Sequence, residues 1–234
     1  MYPRRARGRR ILGVTLLIAL VVLAVSACGG GQEQANKPRP LPEDEKALRP
    51  GTYRSEEFEP SLSFRVGKGW SSSPLEAEAS DVLQIRWGQT AGISFLNIQE
   101  AYKPTRTGTP NVVDAPKDMV GWIQQHPYLE TSNPEPIRVG AVKGVQFEVV
   151  LGELPQNYIG TCTSIVGNPN CVDLFRLSTG GQIFVAEGEK VRVIVLEDLE
   201  GETVTIGSGS PASEFEEFVP EAQKVIDTVK WRGL

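Results

Sequence analysis

Few residues in this chain could carry chemistry, and each has a plainer reading beside it. One histidine exists, His126, just before Pro127 at the expected end of a helix. There the helix dipole favours the imidazolium, a poor setting for a general base. Gly207-Ser208-Gly209-Ser210 has the look of a nucleophile loop but does not match G-x-S-x-G, and its composition predicts a flexible connector. Glu197, Asp198, Glu200 and Glu202 crowd one expected hairpin turn. Their oxygens could gather around Ca²⁺, yet the spacing is not that of an EF-hand loop, and a solvated turn is expected. Cys162 and Cys171 have no histidine close by, which makes a poor zinc site, and they are too far apart for a C-x-x-C redox pair. No catalytic set, no metal site and no cofactor site emerges. The enzyme-class alternative is a hydrolase working with carboxylates alone.

The elements that must position these residues begin with the N-terminus. Arg4, Arg5, Arg7, Arg9 and Arg10 precede Ile11 to Val25, a run of 15 residues in which only Gly13 and Thr15 are not strongly apolar. A basic segment followed by an apolar run of that length fits a secretory signal, whereas a spanning helix needs about 20 apolar residues. Val25-Ser26-Ala27-Cys28 then follows, directly before Gly29-Gly30-Gly31. This stretch resembles the lipobox of bacterial lipoproteins, with an aliphatic residue, two small residues and the cysteine. The resemblance implies that the Cys28 thiol carries diacylglycerol and that cleavage makes Cys28 the mature N-terminus, fatty acids such as palmitate anchoring it on the extracytoplasmic face of the cell membrane. An ordinary cleaved signal peptide or an uncleaved anchor is the competing reading. Arg9-Arg10 also raises twin-arginine export, although Gly8 stands where Ser or Thr is usual. With Cys28 assigned to lipid, the other two cysteines of an exported chain form an even set. Cys162 and Cys171 bracket eight residues that include Gly167, Asn168 and Pro169, which favour a reversal, so a structural disulfide is expected.

Removal of residues 1–27 leaves 19 Lys and Arg against 29 Asp and Glu, a net charge of −10. Such a surface repels nucleic acid and anionic headgroups, and no basic stripe is evident along the chain. The expected partners are the membrane, through the lipid, and an envelope protein or ligand. Gly29 to Pro50 holds no aromatic residue, no Ile and no Val, with Pro38, Pro40, Pro42 and Pro50 among polar residues. It cannot offset its ordering entropy by burial, so residues 28–51 are expected to form a disordered tether of about 25 Å r.m.s. reach. Residues 52–234 then make one domain.

Within that domain, Ser61–Val66 alternates Leu62, Phe64 and Val66 against polar residues, and Gly67-Lys68-Gly69 turns the chain into Trp70. Val82–Trp87 and Ile93–Gln99 predict a hairpin, and Lys103–Val112 a long loop. Pro116–His126 carries Met119, Trp122 and Ile123 at helical spacing, with Asp118 complementing the helix start. Val142–Leu151, Leu174–Leu177, Ile183–Val185 and the pair Lys190–Glu197 and Glu202–Ile206 follow as strands. Ser213 with Glu216 predicts a capping box, and Phe215, Phe218, Val219, Ala222, Val225, Ile226 and Val229 keep a helical period in which Pro220 should kink or split the helix. Thr228–Trp231 is expected to return as an edge strand. Trp70, Trp87, Trp122 and Trp231 are expected in the core unless two of them share an exposed cleft.

The sum is an α+β fold: a mostly antiparallel sheet with one internal helix and a C-terminal amphipathic helix packed on it. Ser63-Phe64-Arg65-Val66-Gly67-Lys68-Gly69-Trp70 resembles the strand-to-Gly-Trp entry of PsbP-like domains. The closing order of strand, acidic turn, strand, amphipathic helix and Thr228-Val229-Lys230-Trp231 is similar as well. Trp122, His126-Pro127-Tyr128-Leu129, Val139-Gly140 and Gly144 resemble uncharacterised secreted bacterial proteins of related build. The resemblance implies a binding or assembly factor.

Overall fold

The structure, a computed structural model, describes residues 37–42, 44–73, 78–105, 111–156, 158, 170–199 and 201–233. Its centre is an antiparallel sheet in the order β10 (Leu129–Thr131), β12 (Val142–Leu151), β15 (Glu189–Leu199), β16 (Glu202–Pro211), β7 (Ala91–Asn97), β6 (Val82–Trp87) and β4 (Trp70–Ser72). Two short strands extend it, β11 (Glu135–Val139) on β12 and β5 (Glu78–Ala79) on β6. Two four-stranded sheets stand beside it. One runs β1 (Arg39–Pro40), β2 (Gly51–Arg54), β3 (Leu62–Val66) and β17 (Lys230–Trp231), the other β14 (Gln182–Ala186), β13 (Cys171–Arg176), β8 (Glu100–Tyr102) and β9 (Val112–Asp114). The described helices are α1 (Met119–Gln124) and α2 (Phe215–Ile226).

The central sheet is buried on both faces, and its strands show why. In β15, Ile194 and Leu196 join one core while Val193 and Val195 join the other. Side chains alternate along a strand, so two cores require apolar residues at successive positions. The first core collects Ile85, Ile93, Phe95, Ile194, Leu196 and Ile206 and is closed by α2 and by Leu62, Phe64 and Val66 of β3. The second collects Phe147, Val149, Val193 and Val195 and is closed by Met119 and Ile123 of α1 and by Val172, Leu174 and Phe175 of β13. In α2, Phe215, Phe218, Val219, Ala222, Val225 and Ile226 are all buried, as the apolar period predicts. Trp231 donates its indole N–H to the Val139 carbonyl at 3.1 Å, fastening the returning β17 to the hairpin of β11 and β12.

Four local expectations are corrected. Gly207-Ser208-Gly209-Ser210 is not a connector but the latter part of β16, paired throughout with β15 and, as far as Gly209, with β7 on the other side. Ladders on both sides satisfy its backbone, and Gly209 sits where an added Cβ would lie 3.3 Å from Val191. The acidic turn is tighter than expected: Glu197 and Asp198 belong to β15, Glu202 opens β16, and Glu200 lies outside the described residues. The capping box does not form. Glu214 is the N-cap, helical in φ and ψ with no side-chain cap, because the turn from Pro211 to Glu214 leads straight into the helix. Pro220 does not split α2. It is exposed, and the carbonyl that loses a donor belongs to exposed Glu216, where solvent can reach it.

The start of the compact unit also moves, to Pro38, so the second half of the expected tether is folded. Leu41 and Leu48 are buried in the first core, and Leu48 N–H donates to the Trp70 carbonyl at 2.8 Å. Two leucines docked on an existing core suffice where the stretch alone could bury nothing. The expected loop Lys103–Val112 joins β8 to β9 as a hairpin, with residues 106–110 outside the described set.

Candidate functional site

The most site-like feature is a cleft of about 480 Å³ at the end of the central sheet. One wall is the close of β12 and the segment after it, with Leu151, Leu154, Pro155 and Tyr158. The other is the corner where the chain passes from β14 to β15, with Glu187, Gly188 and Glu189. Gly188 has φ +80°, a conformation that lets the chain reverse at that corner without strain. The corner is pinned by its own polar groups: Asn170 donates its amide to Glu187 at 2.6 Å, and the Ala186 N–H donates to Glu189 at 3.1 Å.

Behind Tyr158 a run of aromatic rings leads into the second core. Tyr158 meets Tyr128 edge-on at 5.2 Å, Tyr128 meets His126 at 5.8 Å, His126 meets Trp122 at 5.5 Å, and Trp122 meets Phe175 at 5.4 Å. Burial pushes the Tyr158 hydroxyl up to about 12, helped by the nearby charge of Asp173 and by Tyr128. It therefore stays protonated and able to donate. Tyr102 is also raised, first by burial and then by Asp173.

His126 corrects the sequence reading. It is 4% exposed, and burial lowers its pKa to about 4, the opposite of the shift a helix C-terminus would give. α1 holds six residues, so its dipole is small, and desolvation decides. Nδ1 accepts the Tyr128 N–H at 3.3 Å, which leaves the proton on Nε2, and Nε2 has no protein partner. A neutral imidazole shut among aromatic rings, outside the cleft lining, packs and does not relay protons.

The remaining candidates separate in space. Ser208 is 1% exposed, with a hydroxyl that finds no protein partner and no histidine beside it, so it is not an activated nucleophile. Cys28 and Cys162 lie outside the described residues, while Cys171 is fully buried at the start of β13. Among the described residues no group of three or more His, Cys, Asp or Glu is placed to hold a metal ion. Trp70 and Trp87 pack on Phe218 at 6.2 and 5.9 Å, Trp122 packs on Phe175 and Trp231 is buried, so the tryptophans serve the cores.

Sequence reading missed an ion network over the first face of the sheet. Glu148 and Arg192 are register partners and pair at 2.9 Å, while Lys190 reaches Glu148 at 2.8 Å and lies over the Phe215 ring at 4.5 Å. Burial would raise the Glu148 carboxyl, but hydrogen bonds from Lys190 and Arg192 outweigh it and hold the pKa below its usual value. The signal was the opposite charge at Glu148 and Arg192, unreadable until the strand register is known.

No protein-family model and no curated protein matches the chain. Among solved structures the chain is similar to LpqN, involved in cell envelope biogenesis of Mycobacterium tuberculosis, at 10% identity and a TM-score of 0.38, covering 80% of this chain and 90% of that one. It is similar also to cyanobacterial PsbP (CyanoP) from Synechocystis sp. PCC 6803, at 10% identity and a TM-score of 0.38, covering 77% and 92%. Overlap at that level fixes neither a family nor a function.

Proposed function

We propose that this chain is a lipid-anchored, extracytoplasmic binding module of the cell envelope, tethered through Cys28, with the cleft beside Tyr158 holding a neutral, hydroxyl-rich ligand. The observation that carries the reading is the make-up of the cleft. Gln156, Asn170, Glu187 and Glu189 offer acceptors beside the apolar surfaces of Leu154, Pro155 and Tyr158, and among the described residues no Lys, Arg or His lines it. Such a wall suits hydroxyl groups and an apolar ring face, and among the described residues it offers no cation to a phosphate. The anchor rests on Val25-Ser26-Ala27-Cys28 behind the apolar run.

Thermal denaturation of the mature chain with chitotriose, spermidine and glucose 6-phosphate as probes tests the cleft. Chitotriose near a hundred times its Kd stabilises by about 2.7 kcal/mol, a rise of roughly 5 to 10 °C, which Tyr158→Ala abolishes. A rise with the phosphate alone overturns the reading. For the anchor, Cys28→Ala abolishes fatty-acid labelling in cells, and labelling that persists overturns it.

Glu187 and Glu189 lying in one cleft favour a second reading, the carboxylate-dependent hydrolase. Glycoside hydrolysis needs one carboxyl protonated and the other free to act on the far side of the bond. Here one oxygen of each carboxylate already accepts a hydrogen bond from the protein, from the Asn170 amide at Glu187 and from the Ala186 N–H at Glu189. Incubation with chitin oligosaccharides separates the two: a hydrolase releases shorter products and loses this in Glu187→Gln/Glu189→Gln, whereas a binder releases none.

A further inference from the structure

The outer face of the sheet β1-β2-β3-β17 gathers cations that the sequence keeps far apart. In β3, Leu62, Phe64 and Val66 are buried, so Ser63 and Arg65 point away from the core. The register places Arg54, Ser63 and Lys230 side by side on that outer face, with Thr52 beside Arg65 in the neighbouring row. Arg232 follows one residue beyond β17, its N–H donating to the Ser61 carbonyl at 2.8 Å, and Lys68 stands in the turn that leaves β3. Arg65, Lys68, Lys230 and Arg232 are all exposed, and among the described residues none has a carboxylate within 4.0 Å. Arg54 is the exception, paired with Glu56 at 2.7 Å. The acids nearby in sequence, Glu57, Glu59 and Asp227, sit at the turn between β2 and β3 and at the end of α2, and Asp227 accepts from Gln223 at 2.7 Å.

We propose that this face is a docking surface for an anionic lipid bilayer, giving the domain one side that it turns toward the membrane. The proposal goes beyond the anchor and the cleft. Two observations select a bilayer as the occupant. The first is charge complementarity, a local cluster of unpaired cations on a mature chain whose net charge is −10. The net repulsion between such a chain and an anionic surface is offset where these cations face it. The second is connectivity, because β1, at the edge of the same sheet, begins eleven residues after Cys28. A chain of that length spans no more than about 40 Å fully extended.

The test uses the mature chain, residues 28–234, carrying Cys28→Ser so that no acyl chain contributes, and co-sedimentation with vesicles. Vesicles of phosphatidylcholine mixed equally with phosphatidylglycerol bind the protein at low salt, and pure phosphatidylcholine vesicles do not. Each cation near such a surface is worth about five-fold in partitioning, so Arg65→Ala/Lys230→Ala/Arg232→Ala weakens binding on the order of a hundred-fold. Molar salt, which shortens the screening length to about 3 Å, abolishes it. The charge-preserving Arg65→Lys/Lys230→Arg/Arg232→Lys binds as the parent does. Lys103→Ala/Lys117→Ala/Arg176→Ala, which removes equal charge from the layer over the other core, leaves binding within about two-fold, the parent's long-range field being the only change. Equal binding to neutral vesicles, equal loss in the two alanine triples, or no binding at low salt overturns the proposal. Because Cys28 is absent from the assay, its outcome is independent of whether acylation is found in cells.

Discussion

Acidification is the sharpest probe of the second core, because His126 ties the protein's stability to pH with a sign that the helix-terminus argument gets wrong. The folded imidazole has its pKa lowered to about 4 from an ordinary 6.5 by burial. Between those two values the unfolded chain binds a proton that the folded chain refuses, so this contribution to stability is present above pH 6.5 and is lost as pH falls toward 4. Weighting the two states at pH 7 and pH 5 gives a loss on the order of 2 kcal/mol between them, close to 4 to 8 °C in Tm for a domain of this size. The measurement is urea denaturation of wild type and His126→Phe across that range. Phe keeps the aromatic packing against Trp122 and Tyr128 and gives up the acceptor for the Tyr128 N–H, a cost that does not vary with pH and drops out of the slope. The wild type loses about 2 kcal/mol more than the variant on going from pH 7 to pH 5. Glu148 adds a loss only at lower pH, since its depressed carboxyl titrates below the usual carboxylate range, and it is common to both proteins. Parallel pH profiles would refute the burial argument, and a wild type that gains stability on acidification would restore the helix-dipole reading.

Three further outcomes are expected. Phe218→Ala removes a fully buried ring packed between Trp70 and Trp87 and lowers stability by about 3 to 5 kcal/mol, whereas exposed Glu217→Ala barely changes the denaturation midpoint; equal small effects would place α2 on the outside. Ser208→Ala removes a buried hydroxyl without a protein partner and stays within about 1 kcal/mol of wild type in urea denaturation, a larger loss showing that the hydroxyl has an unrecognised role. Thiol titration of the denatured, unreduced mature chain detects neither Cys162 nor Cys171, and replacing both by Ser lowers stability by about 2 to 3 kcal/mol; two free thiols would rule the bridge out.

The regular elements were legible wherever one residue's environment repeats along the chain. Val142–Leu151 is the strand the alternation predicts, Val82–Trp87 pairs with Ala91–Asn97 across Gly88-Gln89-Thr90, and α2 buries the members of the apolar period from Phe215 to Ile226. These signals are local, set by the two-residue and 3.6-residue periods of backbone geometry. The same rules gave the α+β class. They failed at Gly207-Ser208-Gly209-Ser210, where composition speaks for a linker and two flanking ladders impose a strand, and at Leu41 and Leu48, which need a core built by distant residues before they can dock. The cleft was illegible for the same reason. Tyr158, Asn170 and Glu187 come together only because β12 ends beside the corner that joins β14 to β15. Likewise Arg65 and Lys230 are separated by most of the chain, and the pairing of β17 with β3 makes them neighbours. The sequence by itself determined the periods and, through them, the α+β class. Tertiary structure alone decided the sign of the His126 shift, the company of Glu148, the cleft and the basic face, because burial and electrostatics depend on distance in space, which strand register sets and chain position does not.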